Sequence, residues 1–111
     1  MSRIENVDVA RALELLEEGA LLLDVREDDE WNAGHAPPAR HVALSSVPDF
    51  LDELPRERVI VCVCRSGGRS ARAGQFLIEQ GFDAVNLDGG MMAWHDAGIE
   101  MVAESGEPTV A

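Results

Sequence analysis

The sequence predicts an α/β domain of three layers, a mostly parallel sheet covered on both faces by helices. Three observations point there. Short apolar runs at 21–25, 59–63 and 84–87, the middle one rich in β-branched residues, alternate with segments whose apolar residues recur at helical spacing. The run at 59–63 ends in a cysteine, two glycines and a helix start, which is how a strand crosses to a parallel neighbour. A length of 111 residues, 46% apolar and 27% charged, suits one globular domain and is too short for two.

The first helix is capped by Asp8, carries Val9, Leu13 and Leu16 on one side, and ends at Gly19. Residues 21–25 follow as a buried strand. Residues 27–31 form a short helix whose Glu27, Asp28, Asp29 and Glu30 suit the positive end of the helix dipole. Pro37 and Pro38 impose an extended connection to a short strand at 41–44. A helix over 47–54 presents Val47, Phe50, Leu51 and Leu54, and Pro55 stops it. After the central strand, Ser70 opens a helical stretch over 71–80 with Ala73, Phe76 and Leu77 inside. Gly81 then ends it in a Schellman turn, Phe82 folding back on Leu77. A strand at 84–87 leads through Gly89 and Gly90 into a last helix reaching Trp94. The domain spans 1–103, and 104–111 form a flexible C-terminal tail.

The segment from Cys64 to Ser70 holds the chemistry. A strand end, a tight loop and a helix start aim successive N–H groups and a helix dipole at one point, where the Cys64 sulfur would stand. A thiol must ionise to act as a nucleophile. The helix end alone contributes about 0.3–1 kcal/mol, less than one pKa unit. A nearby Arg can lower a pKa by about 1–3 units; Arg65 and Arg69 are placed to do this, with the loop N–H groups adding hydrogen bonds to the charged form. Gly67 and Gly68 allow the loop to curl its amides inward. Isolated cysteines at strand ends are commonly small buried hydrophobes. Here Cys, Gly-Gly and two arginines within six residues favour an anion pocket with a thiolate at its base. Cys62, two residues earlier in the apolar run, belongs to the core.

Composition excludes several function classes. The net charge of -12 opposes nucleic-acid binding. All nine basic residues are arginine, which rules out Schiff-base and P-loop lysines. Arg65, Arg69 and Arg72 form a local positive patch on an acidic chain, suited to small anions. His35, His41 and His95 have no paired metal-ligand spacing, and no metal or cofactor is expected. Without a disulfide framework, signal peptide or membrane-length apolar span, a reducing, cytoplasmic setting and no membrane contact are expected.

The run Cys-Arg-Ser-Gly-Gly-Arg-Ser at 64–70 resembles the active-site loop of the rhodanese family of sulfurtransferases. Residues 23–27, Glu30-Trp31 and Gly34-His35 resemble the family's early motif, and Asp88-Gly89-Gly90 with Trp94 its late one. The resemblance covers roughly 4–99; Ala36 and Pro38 stand where the pattern has Ile and Gly. It implies a five-stranded, single three-layer rhodanese-like domain. It also implies that Cys64 accepts a sulfane sulfur as a persulfide inside a six-residue loop, Cys64 to Arg69. Related cysteine phosphatases carry one more residue before the Arg and a His before the Cys; here Ser70 and Val63 stand at those places.

The expected activity is therefore sulfur transfer by double displacement, from thiosulfate or a related donor to a thiol or cyanide. Cys64 is the nucleophile, and Arg65, Ser66, Gly67, Gly68 and Arg69 bind the donor anion. Asp24 and Arg26, ending the strand beside the central one, brace the loop as an ion pair or through hydrogen bonds. His35 is a structural hydrogen bonder. For Glu30 a surface role and a functional one weigh equally, and Trp31 and Trp94 pack. Two alternatives remain: a persulfide-carrying or sensor module serving one sulfur-relay protein, and a phosphatase or arsenate reductase, against which the six-residue loop argues.

Overall fold

An apolar run with no polar side to leave in water must be covered on both faces and both edges. The computed structural model, which describes residues 3–111, places such a run, β4 (Ile60–Val63), at the centre of a five-stranded parallel sheet. Its neighbours are β5 (Ala84–Leu87) and β2 (Leu21–Asp24). β1 (Glu5–Val7) lies outside β5, and β3 (Arg40–His41) outside β2, giving the order β1-β5-β4-β2-β3. The expected α/β sandwich is present. The first two residues of the 1–103 domain lie outside the described residues.

Side chains alternate across β4 with the strand period of two. Ile60, Cys62 and Cys64 face a core shared with Leu23, Val25, Ala73, Leu77 and Phe82. Val61 and Val63 face the other core, with Ala12, Leu15, Leu87, Met91 and Trp94. The first layer is covered by α3 (Gly68–Glu79) and a 3-10 helix (Leu44–Glu53), the second by α1 (Val9–Glu17) and α4 (Gly90–Asp96). Both cysteines therefore point toward α3.

Several elements differ from the sequence expectation. β1 was not foreseen, for its three residues bury only Val7. The strand expected at 41–44 is β3, one residue earlier and only two long. The helix expected over 47–54 is a 3-10 helix beginning at Leu44. Pro48 lies inside it and supplies no amide, so no unbroken α-type ladder runs through the segment. Pro37 and Pro38 form a turn rather than an extended link, closed by Ala39 N–H to the Ala36 carbonyl at 3.1 Å. On α1, Ala12 and Leu15 are the buried residues, and Val9, Leu13 and Leu16 flank them. α2 (Asp28–Ala33) forms as expected and is closed by a capping box between Glu27 and Glu30.

Residues 104–111, expected as a flexible tail, lie along the C-terminal end of α2. Glu104 and Thr109 donate backbone N–H groups to the Asn32 and Ala33 carbonyls at 3.1 and 2.9 Å. Just before them, His35 and Val102 exchange a pair of backbone bonds, each 2.9 Å.

α3 ends in the expected Schellman turn. Phe82 N–H reaches the Leu77 carbonyl at 2.9 Å and Gly81 N–H that of Ile78 at 3.0 Å, with Gly81 at φ +92°. Gly81→Ala should therefore lower stability by about 1–2 kcal/mol, the cost of a left-handed backbone for an L-residue. Urea unfolding checks this; an unchanged midpoint would show that the turn tolerates a side chain.

Candidate active site

Cys64 is the first residue beyond the carboxyl end of β4, where open α/β sheets bind their ligands. The chain must turn at once from strand to helix, and Gly67, at φ +116°, makes that turn and caps α3. α3 thus starts at Gly68, two residues before the Ser70 start expected. Gly67 N–H points back to Cys64 Sγ at 3.1 Å, and Ser70, in the first turn, places its Oγ 3.3 Å from the same sulfur. Cys64 is 1% exposed, so the sulfur lies at the bottom of the loop.

The loop is also held from outside. α4 begins against it, Met91 and Met92 donating N–H groups to the Cys64 and Arg65 carbonyls at 2.8 and 3.1 Å. Only glycine permits that approach. A Cβ on Gly90, whose φ is +58°, would collide with the Cys64 carbonyl oxygen and with Arg65 backbone atoms. Gly68 is different: a Cβ there meets nothing, so steric need does not extend to both loop glycines.

Burial pushes the Cys64 thiol up, but hydrogen bonds from Ser70 Oγ and from the Ser70, Gly67 and Ser66 backbone amides outweigh it. The thiol is held below its ordinary value. Burial without such donors drives Cys62 up to about 12. Both cysteines are free. Of the two contributions expected, the loop hydrogen bonds act on the sulfur directly, and Arg69 and Cys64 attract each other through charge alone. Arg69 donates to both carboxylate oxygens of Glu30, at 2.7 and 2.8 Å, and Arg65 Nε donates to the Ala111 carbonyl at 2.9 Å.

Asp24 and Arg26 form a fully buried ion pair, Nε to Oδ1 at 2.9 Å and Nη2 to Oδ2 at 2.7 Å. Arg26 also donates to the Glu30 and Gly34 carbonyls, at 3.3 and 2.8 Å, which ties α2 to the end of β2. The pair therefore braces α2 directly and the loop through Glu30 and Arg69. His35 stays outside the sulfur site: its Nδ1 is 2.9 Å from the Trp31 carbonyl, and its ring stacks on Trp31. Trp94 is buried in the core.

Three further residues, none of them expected to bind or brace the sulfur, take part in the site. Ser70 is fully buried; besides Cys64 Sγ it touches Asn86 Oδ1 at 2.6 Å and the Gly67 carbonyl at 3.4 Å. Asn86 donates through Nδ2 to Asn6 Oδ1 at 2.9 Å and to the Gly67 carbonyl at 3.1 Å. An Asn between Val85 and Leu87 in a buried run was a visible signal, since such a side chain needs partners. Asn6 gave none. Beside the loop, Arg65, Met92, His95, Asp96, Thr109 and Val110 line a cavity of about 310 Å³ that does not include Cys64. Among the described residues no group of His, Cys, Asp and Glu could hold a metal ion, and no helix is long and apolar enough to cross a membrane.

Comparison with known proteins matches residues 8–97 to the family model described as "Rhodanese-like domain". A Bacillus subtilis (strain 168) protein named "Putative sulfurtransferase YtwF" is 41% identical over 93 residues, 82% of this chain and 90% of the relative. The crystal structure of a rhodanese-related protein from Thermoplasma volcanium matches with TM-score 0.82 and 28% identity, over 88% of this chain and 97% of that one. That of reduced Bacillus anthracis CoADR-RHD matches with TM-score 0.77 and 30% identity; the match covers 82% of this chain and only 16% of that much longer one.

Two outcomes follow from the geometry. Gly90→Ala should disrupt the Cys64 environment, raising the pH midpoint of Cys64 alkylation, whereas Gly68→Ala should leave that midpoint in place. Equal midpoints for both variants would remove α4 from the account of the loop. Separately, hydrogen bonds from Arg69, opposed by burial and helped by Glu27 N–H, lower Glu30 from 4.5 to about 2. A lowered acid stabilises the fold above its unfolded value, so this contribution is complete above pH 4.5 and is lost as pH falls toward about 2. Glu30→Gln should cost on the order of 1–2 kcal/mol at neutral pH, with partial exposure limiting the effect, and should approach wild type near the acid end. Urea midpoints across pH check this, and parallel curves would refute it.

Proposed function

The chain belongs to the rhodanese-like domain family, and from that premise we propose that it is a sulfurtransferase working through a persulfide on Cys64. One observation carries the reading. The Cys64 sulfur sits at the end of the central strand, receives hydrogen bonds from loop amides and Ser70, and is acidified without a general base. Among the described residues no histidine hydrogen-bonds to it.

The thiolate attacks the outer sulfur of thiosulfate or a related sulfane donor. The S–S bond of the donor breaks, sulfite leaves with the electron pair, and Cys64 carries an outer sulfur bearing the negative charge. The acceptor, a thiol, cyanide or the thiol of a sulfur-relay protein, then attacks that outer sulfur, and Cys64 departs as thiolate. The amides of Ser66, Gly67 and Gly68 line the seat of the outer sulfur, while Arg65 and Arg69 attract the donor anion. Arg69 does so as one half of an ion pair, which supports geometric placement more than added net charge. On a chain of net charge -12 this favours small anions over polyanions. Two free cysteines fit a reducing, cytoplasmic compartment.

Intact-mass measurement after incubation with thiosulfate should find one added sulfur, mapped to Cys64 and removed by cyanide as thiocyanate. Cys64→Ser should abolish uptake. Cys62→Ser should retain most transfer and lose about 1–3 kcal/mol of stability, the cost of a hydroxyl in an apolar core. Sulfur on Cys62, or an obligatory Cys62–Cys64 disulfide during turnover, would replace the scheme with a redox one. Uptake without discharge to any small acceptor would favour a dedicated carrier.

A further inference from the structure

We propose that Ser70 is a catalytic donor whose single hydroxyl hydrogen moves between Asn86 Oδ1 and Cys64 Sγ as that sulfur loses and gains charge, with Asn86 and Asn6 positioning it. Three acceptors surround one buried hydroxyl: Asn86 Oδ1 at 2.6 Å, Cys64 Sγ at 3.3 Å and the Gly67 carbonyl at 3.4 Å. A serine has one hydrogen to give, so the three compete. Asn86 cannot turn its oxygen away, because its Nδ2 is held by Asn6 Oδ1 and the Gly67 carbonyl.

The competition is decided by charge. Against a neutral sulfur, the nearer amide oxygen wins. Against a thiolate, the charged acceptor wins, since hydrogen bonds to ions are about twice as strong. Asn86 and Asn6 face each other across the β1–β5 pairing, with Asn86 inside an otherwise apolar strand. A buried amide there costs stability unless it is fully bonded, and here it is.

This role rests on the persulfide reading and gives it a direction. In loading, Cys64 surrenders its charge and releases the Ser70 hydrogen to Asn86. In discharge, the acceptor attacks the outer sulfur, the S–S bond breaks, and the electron pair returns to Sγ as the hydrogen swings back. A less basic sulfur leaves faster but attacks slightly more slowly. Losing the hydroxyl should therefore slow discharge at every pH. In loading it should move the pH midpoint upward, with the high-pH plateau equal to or above that of the wild type.

The test compares wild type with Ser70→Ala, Ser70→Thr and Asn86→Leu. Alkylation of Cys64 against pH is followed by peptide mapping, with single-turnover loading by thiosulfate and discharge to cyanide. Ser70→Ala should raise the alkylation midpoint by about 1–2 pH units and slow discharge about 3–10-fold. Ser70→Thr should restore both, and Asn86→Leu should disturb discharge through a misplaced hydroxyl. An unshifted Ser70→Ala midpoint in a wild type that loads normally overturns the role of Ser70 alone. Equal loss of loading plateau and discharge rate also overturns it, in favour of simple packing. A wild type that never takes up sulfur overturns the persulfide reading and removes the leaving-group role with it.

Discussion

The mouth of the site depends on a buried ion pair two residues apart. Asp24 and Arg26 are both 0% exposed. Two charges taken from water cost several kcal/mol each, and the fold recovers this only by satisfying nearly every donor and acceptor. Arg26 bonds the carboxylate in a fork and also reaches two carbonyls, while Asp24 accepts the Arg26 backbone N–H at 3.1 Å. Removing one partner would strand the other, a loss of about 3–5 kcal/mol. What the pair secures is position: α2 is fixed to the sheet, Glu30 is thereby fixed on α2, and Arg69 is held by Glu30.

That chain of contacts changes how the pocket's electrostatics are understood. Two arginines in a short loop suggest a pocket ionised by charge. One of them instead has its charge matched by a carboxylate, and the thiolate is stabilised by amides and a hydroxyl already pointing at it. Hydrogen bonds from fixed groups need no rearrangement when charge develops, and they distinguish one sulfur from another two residues away. Cys62 shares the face of β4 with Cys64, yet the two move in opposite directions from the ordinary thiol range.

Local signals were legible in the sequence. The capping Asp8, the Gly81 turn, the run before Cys64 and the alternation of strands with helices all act within a few residues, and each appears in the structure. What escaped was set by contacts between distant positions. Glu30 and Arg69 lie 39 residues apart, and Ser70 and Asn86 are 16 apart. Neither pairing has a pattern a local window can register. β1 was missed for the same reason: Glu5, Asn6 and Val7 become a strand only because β5 offers them an edge. Pro48 shows the converse: a purely local feature, the missing amide, sets the type of helix.

The pairing of β1 with β5 also has a history in time. Asn6 and Asn86 are 80 residues apart, so a chain growing from its N-terminus exposes β1 long before its partner strand exists. Closing so large a loop comes late, because its entropy must be met before the contact returns anything. The cysteine, the loop and much of the central sheet can assemble while Asn86 still lacks Asn6. The sulfur's surroundings are therefore completed by one of the last events of folding. Because the amides of Ser66, Gly67 and Ser70 come from the loop itself, what waits for that closure is the anchoring of Asn86, and through it of the Ser70 hydroxyl.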